Sequence, residues 1–293
     1  MSKLDAYREI VLQNVPMASL TWLRLGGPIE YLAEPRSEAE LIEILRASEE
    51  DELVARPLGD GSNILGSDVG APGVAIRLSS EAFNKIEIDG ARVTVGAGVK
   101  LGKLATATAS EGLSGLEGLV GIPGTVGGCL VTNASTTSVS IGQWVESARL
   151  ASYSGKIFDA SRDELVFERR GSNLENLIVL SATFKLEKDD AVALTKRLQK
   201  TWIVRKKTRP ELELGGLARM FRDPRGQRAA ELIANANCVG ARFGGATVCE
   251  TSPNLVVTEE NCSSEDVKRL LTLIETQVSN RFQVKLEREL EIW

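Results

Sequence analysis

Gly121-Ile122-Pro123-Gly124-Thr125-Val126-Gly127-Gly128, followed shortly by Asn133-Ala134, is the stretch that decides how this chain folds around a ligand. Four glycines fall within eight residues at the end of an apolar run. Glycine has no Cβ, so it accepts positive φ and lets a ligand approach the peptide N–H groups closely, while Pro123 stiffens one arm of the loop. Such a loop can cradle a phosphate through backbone donors, with no lysine required. Glycine-rich stretches also form tight corners between strands, and one alone does not decide between the two.

A second cluster supplies context. Gly59-Asp60-Gly61-Ser62-Asn63-Ile64-Leu65 follows the apolar run 53–58 and again offers N–H donors, with a hydroxyl and a carboxamide beside them. Two such loops suit a long ligand with two phosphates. Neither carries G-x-x-x-x-G-K-[ST], and neither gives the strand-then-helix G-x-G-x-x-G spacing, so the P-loop and Rossmann readings both fail.

The whole chain bounds the class. Its 293 residues can bury a sizeable core and suggest two or three domains; 43% hydrophobic residues is a globular composition. A net charge of -5 with no basic stripe argues against nucleic-acid binding. No apolar run approaches the roughly 20 residues needed to span a bilayer, and residues 1–5 lead into mixed polar sequence, so a cytoplasmic protein is expected. A monomer is expected as well. The four cysteines, Cys129, Cys238, Cys249 and Cys262, show no C-x-x-C pairing; reduced thiols and no metal site are expected. There is no histidine, which excludes imidazole acid–base chemistry and histidine metal ligation. Proton transfer must use carboxylate, hydroxyl, thiol, water or cofactor.

Residues 37–49 predict a helix, with Leu41, Ile42, Ile44 and Leu45 on one face and Ser37 with Glu40 as a capping box. Strands are expected at 53–58, 74–78, 85–88 and 92–95, the last two joined by Asp89-Gly90. A short helix at 103–111 ends at Gly112. Beyond the glycine loop, 145–153, 155–159 and 177–186 read as strands, with Tyr153-Ser154-Gly155 as a turn and 161–165 as a short helix. Helices follow at 191–207 and 264–281, the latter with Val267, Leu270, Leu271, Ile274 and Val278 at helical spacing behind a serine N-cap. A boundary is placed at Lys188-Asp189-Asp190.

Taken in order, Leu25-Gly26-Gly27, Gly59-Asp60-Gly61-Ser62-Asn63, Val95-Gly96-Ala97-Gly98-Val99, Gly112-Leu113-Ser114-Gly115-Leu116-Glu117, the 121–128 loop, Ile178-Val179-Leu180-Ser181-Ala182-Thr183-Phe184, Gly244-Gly245-Ala246-Thr247-Val248 and Asn254 resemble the UDP-N-acetylenolpyruvylglucosamine reductase (MurB) family, over nearly the whole chain. The resemblance implies an α+β protein. It has a two-subdomain FAD-binding fold of the vanillyl-alcohol-oxidase (PCMH) type, at residues 1–82 and 83–187, and a C-terminal α/β substrate-binding domain at 188–293. The direct run from Lys207 into Arg209-Pro210 resembles the family's shorter subclass.

The same resemblance implies non-covalent FAD, with NADPH as reductant and a UDP-sugar as substrate, in cell-wall peptidoglycan synthesis. FAD would be held by Gly59, Asp60, Gly61, Ser62, Asn63, Ile64, Gly121, Ile122, Pro123, Gly124, Thr125, Gly127, Gly128, Asn133 and Val179; Asn254 would bind substrate. Adding hydride to the β-carbon of an enolpyruvyl ether leaves an enolate-like dianion, which calls for fixed positive charge or an acid at the carboxylate and a proton donor at the α-carbon. The family's arginine carries over to Arg170 in Phe167-Glu168-Arg169-Arg170-Gly171-Ser172, where a surface salt bridge is the plain alternative. Its glutamate carries over to Glu289, among charges such as Glu287 and Glu291 that solvent alone would explain. The family's proton-donor serine lies in Gly-Ser-x-Phe-Lys-Asn-Pro, and this chain reads Ala218-Arg219-Met220-Phe221-Arg222-Asp223-Pro224. Arg219 stands at the serine position; a guanidinium is a poor acid at neutral pH but pairs well with carboxylates and phosphates. Thr251-Ser252-Pro253 replaces the Lys-His-Ala that precedes the family's asparagine, and Asn133-Ala134-Ser135 its Asn-Ala-Gly. The chain is therefore either a reductase using water or another group as donor, a flavin enzyme with a different substrate, or a non-catalytic FAD-binding homologue.

Overall fold

The computed structural model describes residues 2–169, 171–208 and 216–293, the side chain of Thr208 excepted. Arg170, Arg209 and Pro210 lie outside the described residues. The chain divides into two compact units, one of residues 1–13, 31–60 and 72–206, the other of 14–30, 61–71 and 207–293. These contact-based seams fall elsewhere than the expected 82/83 and 187/188 divisions.

Mostly within the first unit, β1 (Val11–Pro16), β2 (Pro28–Ala33), β3 (Ala55–Pro57) and β4 (Ala71–Ile76) form a sheet of order β1-β2-β4-β3. The β3 and β4 strands run parallel, with Ala55 opposite Val74. Helix α1 (Glu38–Glu50) buries Leu41, Ile44 and Leu45 against Val74 and Ile76, as its 3.6-residue periodicity requires. Its capping box is half formed. Ser37 Oγ accepts from the Glu40 N–H at 3.2 Å, but Glu40 Oε2 accepts from the Arg36 N–H at 2.6 Å rather than from Ser37.

Antiparallel pairing dominates the remainder of this unit. The strands β5 (Ile86–Asp89), β6 (Arg92–Gly96), β7 (Val145–Ala151), β8 (Ile157–Ser161) and β11 (Ile178–Lys185) make a sheet of order β8-β7-β11-β6-β5, while β9 (Phe167–Glu168) and β10 (Gly171–Ser172) form a separate hairpin. One face of the sheet alternates into the core. Val93 and Val95 are buried where Arg92 and Thr94 are exposed, and they meet Leu101, Leu104 and Ala105 of α2 (Leu101–Ser110), Val126 and Leu130 of α3 (Val126–Val131), and Leu194 and Leu198 of α4 (Ala191–Thr208). The predicted strands thus form with ends moved by one to three residues, and the predicted 161–165 helix is a single 3-10 turn at Arg162–Glu164.

The second unit is built on β12 (Gly216–Arg219), β13 (Arg242–Phe243), β14 (Ala246–Val248) and β15 (Leu255–Thr258), an antiparallel sheet of order β12-β15-β14-β13, with helices α5 (Ala229–Asn235) and α6 (Ser264–Phe282). All five apolar residues predicted for the last helix are fully buried in this core with Ala218, Met220, Phe221, Val248 and Val256. A buried leucine of this kind contributes about 2–5 kcal/mol against truncation to alanine. Ser263 and Asp266 complete a capping box, and Asp68 adds a second cap by accepting from the Ser264 N–H at 2.9 Å. Residues 64–65 pair in parallel with 291–292, which brings the far end of the chain beside the Gly61–Ile64 loop within this unit.

Candidate functional site

In the first unit the two glycine loops meet. A Cβ built on Gly59 would lie 2.8 Å from Thr125 Oγ1, so the loops touch where glycine alone leaves room. Lys100 bridges to Thr125 through the backbone and its ammonium pairs with Asp60 at 3.2 Å, which offsets the carboxylate beside the loop.

The four loop glycines do different jobs. Gly121 and Gly124 hold φ values of +79° and +128°, in the region L side chains avoid. Gly127 lets α3 sit down on the sheet, since a Cβ there would come 3.0 Å from Ala97 Cβ and 3.6 Å from Val179 Cβ. Gly128 faces open space, where a Cβ would meet Thr125 Oγ1 alone, at 3.7 Å. Among the described residues, the N–H groups of Gly124, Thr125 and Gly128 have no protein acceptor, whereas those of Val126 and Gly127 bond Val99 O and Ala97 O. Unpaired donors at the start of a helix, over a surface without side chains, fit a pyrophosphate. Among the described residues no carboxylate, thiol or imidazole cluster is arranged to hold a metal.

Several predicted ligand residues also serve the frame. Val179 is buried under Gly127, and Ile122 packs partly into the same core. Pro123 lends its carbonyl to the Cys129 thiol at 3.9 Å. Burial, with a smaller push from the Asp60 charge, raises that thiol to about 12, so it is no nucleophile at neutral pH. Asn133, at φ +45°, donates Nδ2 to Glu168 O at 2.7 Å and accepts from the Gly142 N–H at 3.2 Å. Ser172 Oγ donates to Val131 O at 2.9 Å. The β9–β10 hairpin flanking position 170 is therefore tied to the stretch that follows α3.

In the second unit Gly61 holds φ +66°, and a Cβ would clash with Leu20 O at 2.0 Å. Ser62 and Asn63 are half-buried, and Ile64 is buried in the pairing with residues 291–292. Asn63 Nδ2 donates to Glu289 O at 2.5 Å. This bond fixes the backbone of the proposed acid from a loop 226 positions earlier.

Glu289 and Arg219 are brought together. Arg219 Nε lies 2.9 Å from Glu289 Oε2, and Arg219 Nη2 lies 2.9 Å from Asp223 Oδ2. The other oxygen of Asp223 accepts from the Ala229 N–H at 2.9 Å, at the start of α5. The side chains of Arg219, Asp223 and Glu289 are 33%, 19% and 13% exposed, so the cluster is largely shielded from solvent. Sequence reading missed Asp223; its one signal was the four-residue spacing from Arg219. Asn254 is buried and spends its amide on one residue, accepting from the Phe221 N–H at 3.0 Å and donating to Phe221 O at 2.7 Å. It clamps the strand end that carries Arg219 and Asp223.

Comparison with known proteins gives two family matches. An FAD binding domain matches residues 29–161, and the C-terminal domain of UDP-N-acetylenolpyruvoylglucosamine reductase matches 210–293. The UDP-N-acetylenolpyruvoylglucosamine reductase of Rhodopirellula baltica is 38% identical over 285 residues, 97% of this chain and 93% of its own. The crystal structure of the corresponding reductase from Thermus caldophilus is similar at TM-score 0.82 and 32% identity, covering 96% of this chain and 98% of that one. The 6-hydroxy-D-nicotine oxidase of Arthrobacter nicotinovorans, at 14% identity and TM-score 0.61 over 92% of this chain and 85% of its own, shares the fold.

Proposed function

Because the chain belongs to the UDP-N-acetylenolpyruvoylglucosamine reductase family of FAD-dependent oxidoreductases, we propose that it reduces the enolpyruvyl group of UDP-N-acetylglucosamine enolpyruvate to give UDP-N-acetylmuramate, with NADPH as reductant, as a cytoplasmic monomer serving peptidoglycan synthesis. The observation that carries the reading is the meeting of both glycine loops at Gly59 and Thr125, with unpaired N–H donors over the open face of Gly128.

FAD, when bound, supplies the hydride. The N–H groups of Gly124, Thr125 and Gly128 would hold its pyrophosphate, and the start of α3 adds its partial positive charge. Gly61, Ser62 and Asn63 would form the second arm of that binding segment. Arg170 would meet the enolpyruvyl carboxylate, where negative charge grows as the β-carbon is reduced, and Glu289 would serve that carboxylate as an acid in its protonated form. Arg219 holds Glu289 in place rather than giving a proton, and the α-carbon takes its proton from water or another group.

Stopped-flow mixing of the flavin-loaded protein with NADPH and then the enolpyruvyl sugar tests this reading. Rapid bleaching followed by reoxidation with the sugar is expected; reduced flavin that the sugar never reoxidises would sink it. A second reading, an oxidoreductase of the same fold with another substrate, is favoured by the commitment of Arg219 to two carboxylates at the serine position. Strong thermal stabilisation by UDP-sugars and by no other anion would count against that alternative.

A further inference from the structure

We propose that Asp223 is a positioning residue and that Asp223, Arg219 and Glu289 act as one unit, in which Asp223 holds the guanidinium of Arg219 against Glu289; this rests on the reading of Glu289 as the group that serves the substrate carboxylate. Asp223 is held at both ends. Oδ1 takes the Ala229 N–H at 2.9 Å and Oδ2 takes Arg219 Nη2 at 2.9 Å, so the carboxylate is anchored to the start of α5 while it grips the arginine. Arg219 Nε then lies 2.9 Å from Glu289 Oε2 as an ion pair, while its N–H donates to Phe221 O at 3.4 Å, and Phe221 is itself held by Asn254.

A guanidinium is planar and presents its donors in a fixed fork, so holding one edge on Asp223 fixes the direction of the rest. A hydroxyl at position 219 could not do this, and neither could an ammonium, whose donors rotate. Positions 218, 219, 222 and 223 depart from the family's Gly-Ser-x-Phe-Lys-Asn-Pro pattern, and the side chains at 219 and 223 pair with each other. They read as one coupled replacement. Without Arg219, Asp223 and Glu289 would be two shielded carboxylates lacking their shared cation, an arrangement that costs more than either lost contact. With Arg219 present but Asp223 neutral, the guanidinium keeps Glu289 and loses its fixed direction.

A double-mutant cycle tests the unit on two readouts. Reoxidation of the NADPH-reduced, flavin-loaded protein by the enolpyruvyl sugar is followed for the parent, Arg219→Ala, Asp223→Asn and the double variant. Asp223→Asn is expected to slow reoxidation about 5–10-fold in the parent and to have no effect in the Arg219→Ala background, with KM for the sugar changing less than the limiting rate. Arg219→Lys is expected to behave as Arg219→Ala, since the ammonium lacks the fork. Equal effects of Asp223→Asn in both backgrounds, or full rescue by lysine, would overturn the proposal. The same cycle on thermal melts of the flavin-loaded proteins uses no substrate: non-additive melts alongside a sugar that never reoxidises the flavin would retain the ion-pair unit and discard the substrate reading. Additive melts discard the unit whatever the sugar does.

Discussion

The two candidate regions are built from opposite materials. The loop at Gly121–Gly128 works by what it lacks: side chains are missing, N–H groups point outward, and no charged group of its own is involved. The cluster at Arg219 works by side-chain charge, with one guanidinium between two carboxylates and an amide clamp beneath it. The first can receive any phosphate of suitable shape. The second is selective, because each member needs the others. A backbone site thus tolerates change in its surroundings and fails through added bulk, while an ionic site fails through loss of one partner.

The sharpest way to break this contrast is Glu289→Gln. It keeps volume and the backbone bonds to Asn63 and Met220 but removes the charge that pairs with Arg219. Sugar-dependent flavin reoxidation should fall about 100- to 1000-fold, the scale of losing one positioned proton-transfer group, with flavin content unchanged. Loss of flavin in this variant would mean that the two regions are not chemically separate. Gly127→Val comes next. Its added methyls enter the contact with Ala97 and Val179, so overpacking should cost about 1–3 kcal/mol and weaken FAD binding about 100-fold. Fluorescence titration of apoprotein with FAD, beside a urea melt, measures both.

Gly128→Ala separates ligand space from packing space. Its methyl meets nothing closer than 3.7 Å in the protein, so the apoprotein should be as stable or more so by about 0.5–1 kcal/mol, as for a helical glycine-to-alanine change. FAD affinity should nonetheless fall about 10-fold. An apoprotein destabilised as much as Gly127→Val would show that both glycines serve packing. The smallest effect concerns pH. Burial pushes the Cys129 and Cys262 thiols up to about 12 from an ordinary 9.0, so folding favours the protonated forms. Their contribution to stability is fully present below about pH 9 and is lost as pH rises toward about 12, because the unfolded chain gives up those protons first. Urea midpoints in that window should fall with pH, and less steeply in a Cys129→Ala variant.

The legible parts of this molecule were those governed by local periodicity or by backbone chemistry. Helix α6 follows its apolar spacing from Val267 to Val278, and the sheet strands follow their alternation. The loop glycines could be recognised as a group but not sorted, because only the sheet beneath α3 distinguishes Gly127 from Gly128. The capping box at Ser37 formed by half since Arg36 N–H competes for Glu40. In the second site, Glu289 and Arg219 could each be named, yet their ion pair spans 70 positions of sequence and no spacing rule reaches that far. Asn254 drew attention as a ligand residue, whereas its amide is consumed by the main chain of Phe221.

The pairing of residues 64–65 with 291–292 also sets a timetable. The second unit draws on three separated segments, 14–30, 61–71 and 207–293, whereas the sheet of β5 to β8 with β11 comes from one continuous run. Contacts distant in sequence form late, since the loop between them must first be closed. During synthesis the early segments of the second unit can bond each other, Trp22 N–H to Gly61 O and Gly27 N–H to Ser67 O, but must wait for the last segment while nearly the whole chain emerges. The Asn63–Glu289 bond closes only with the final stretch, so the acid is seated at the end of folding rather than at its start.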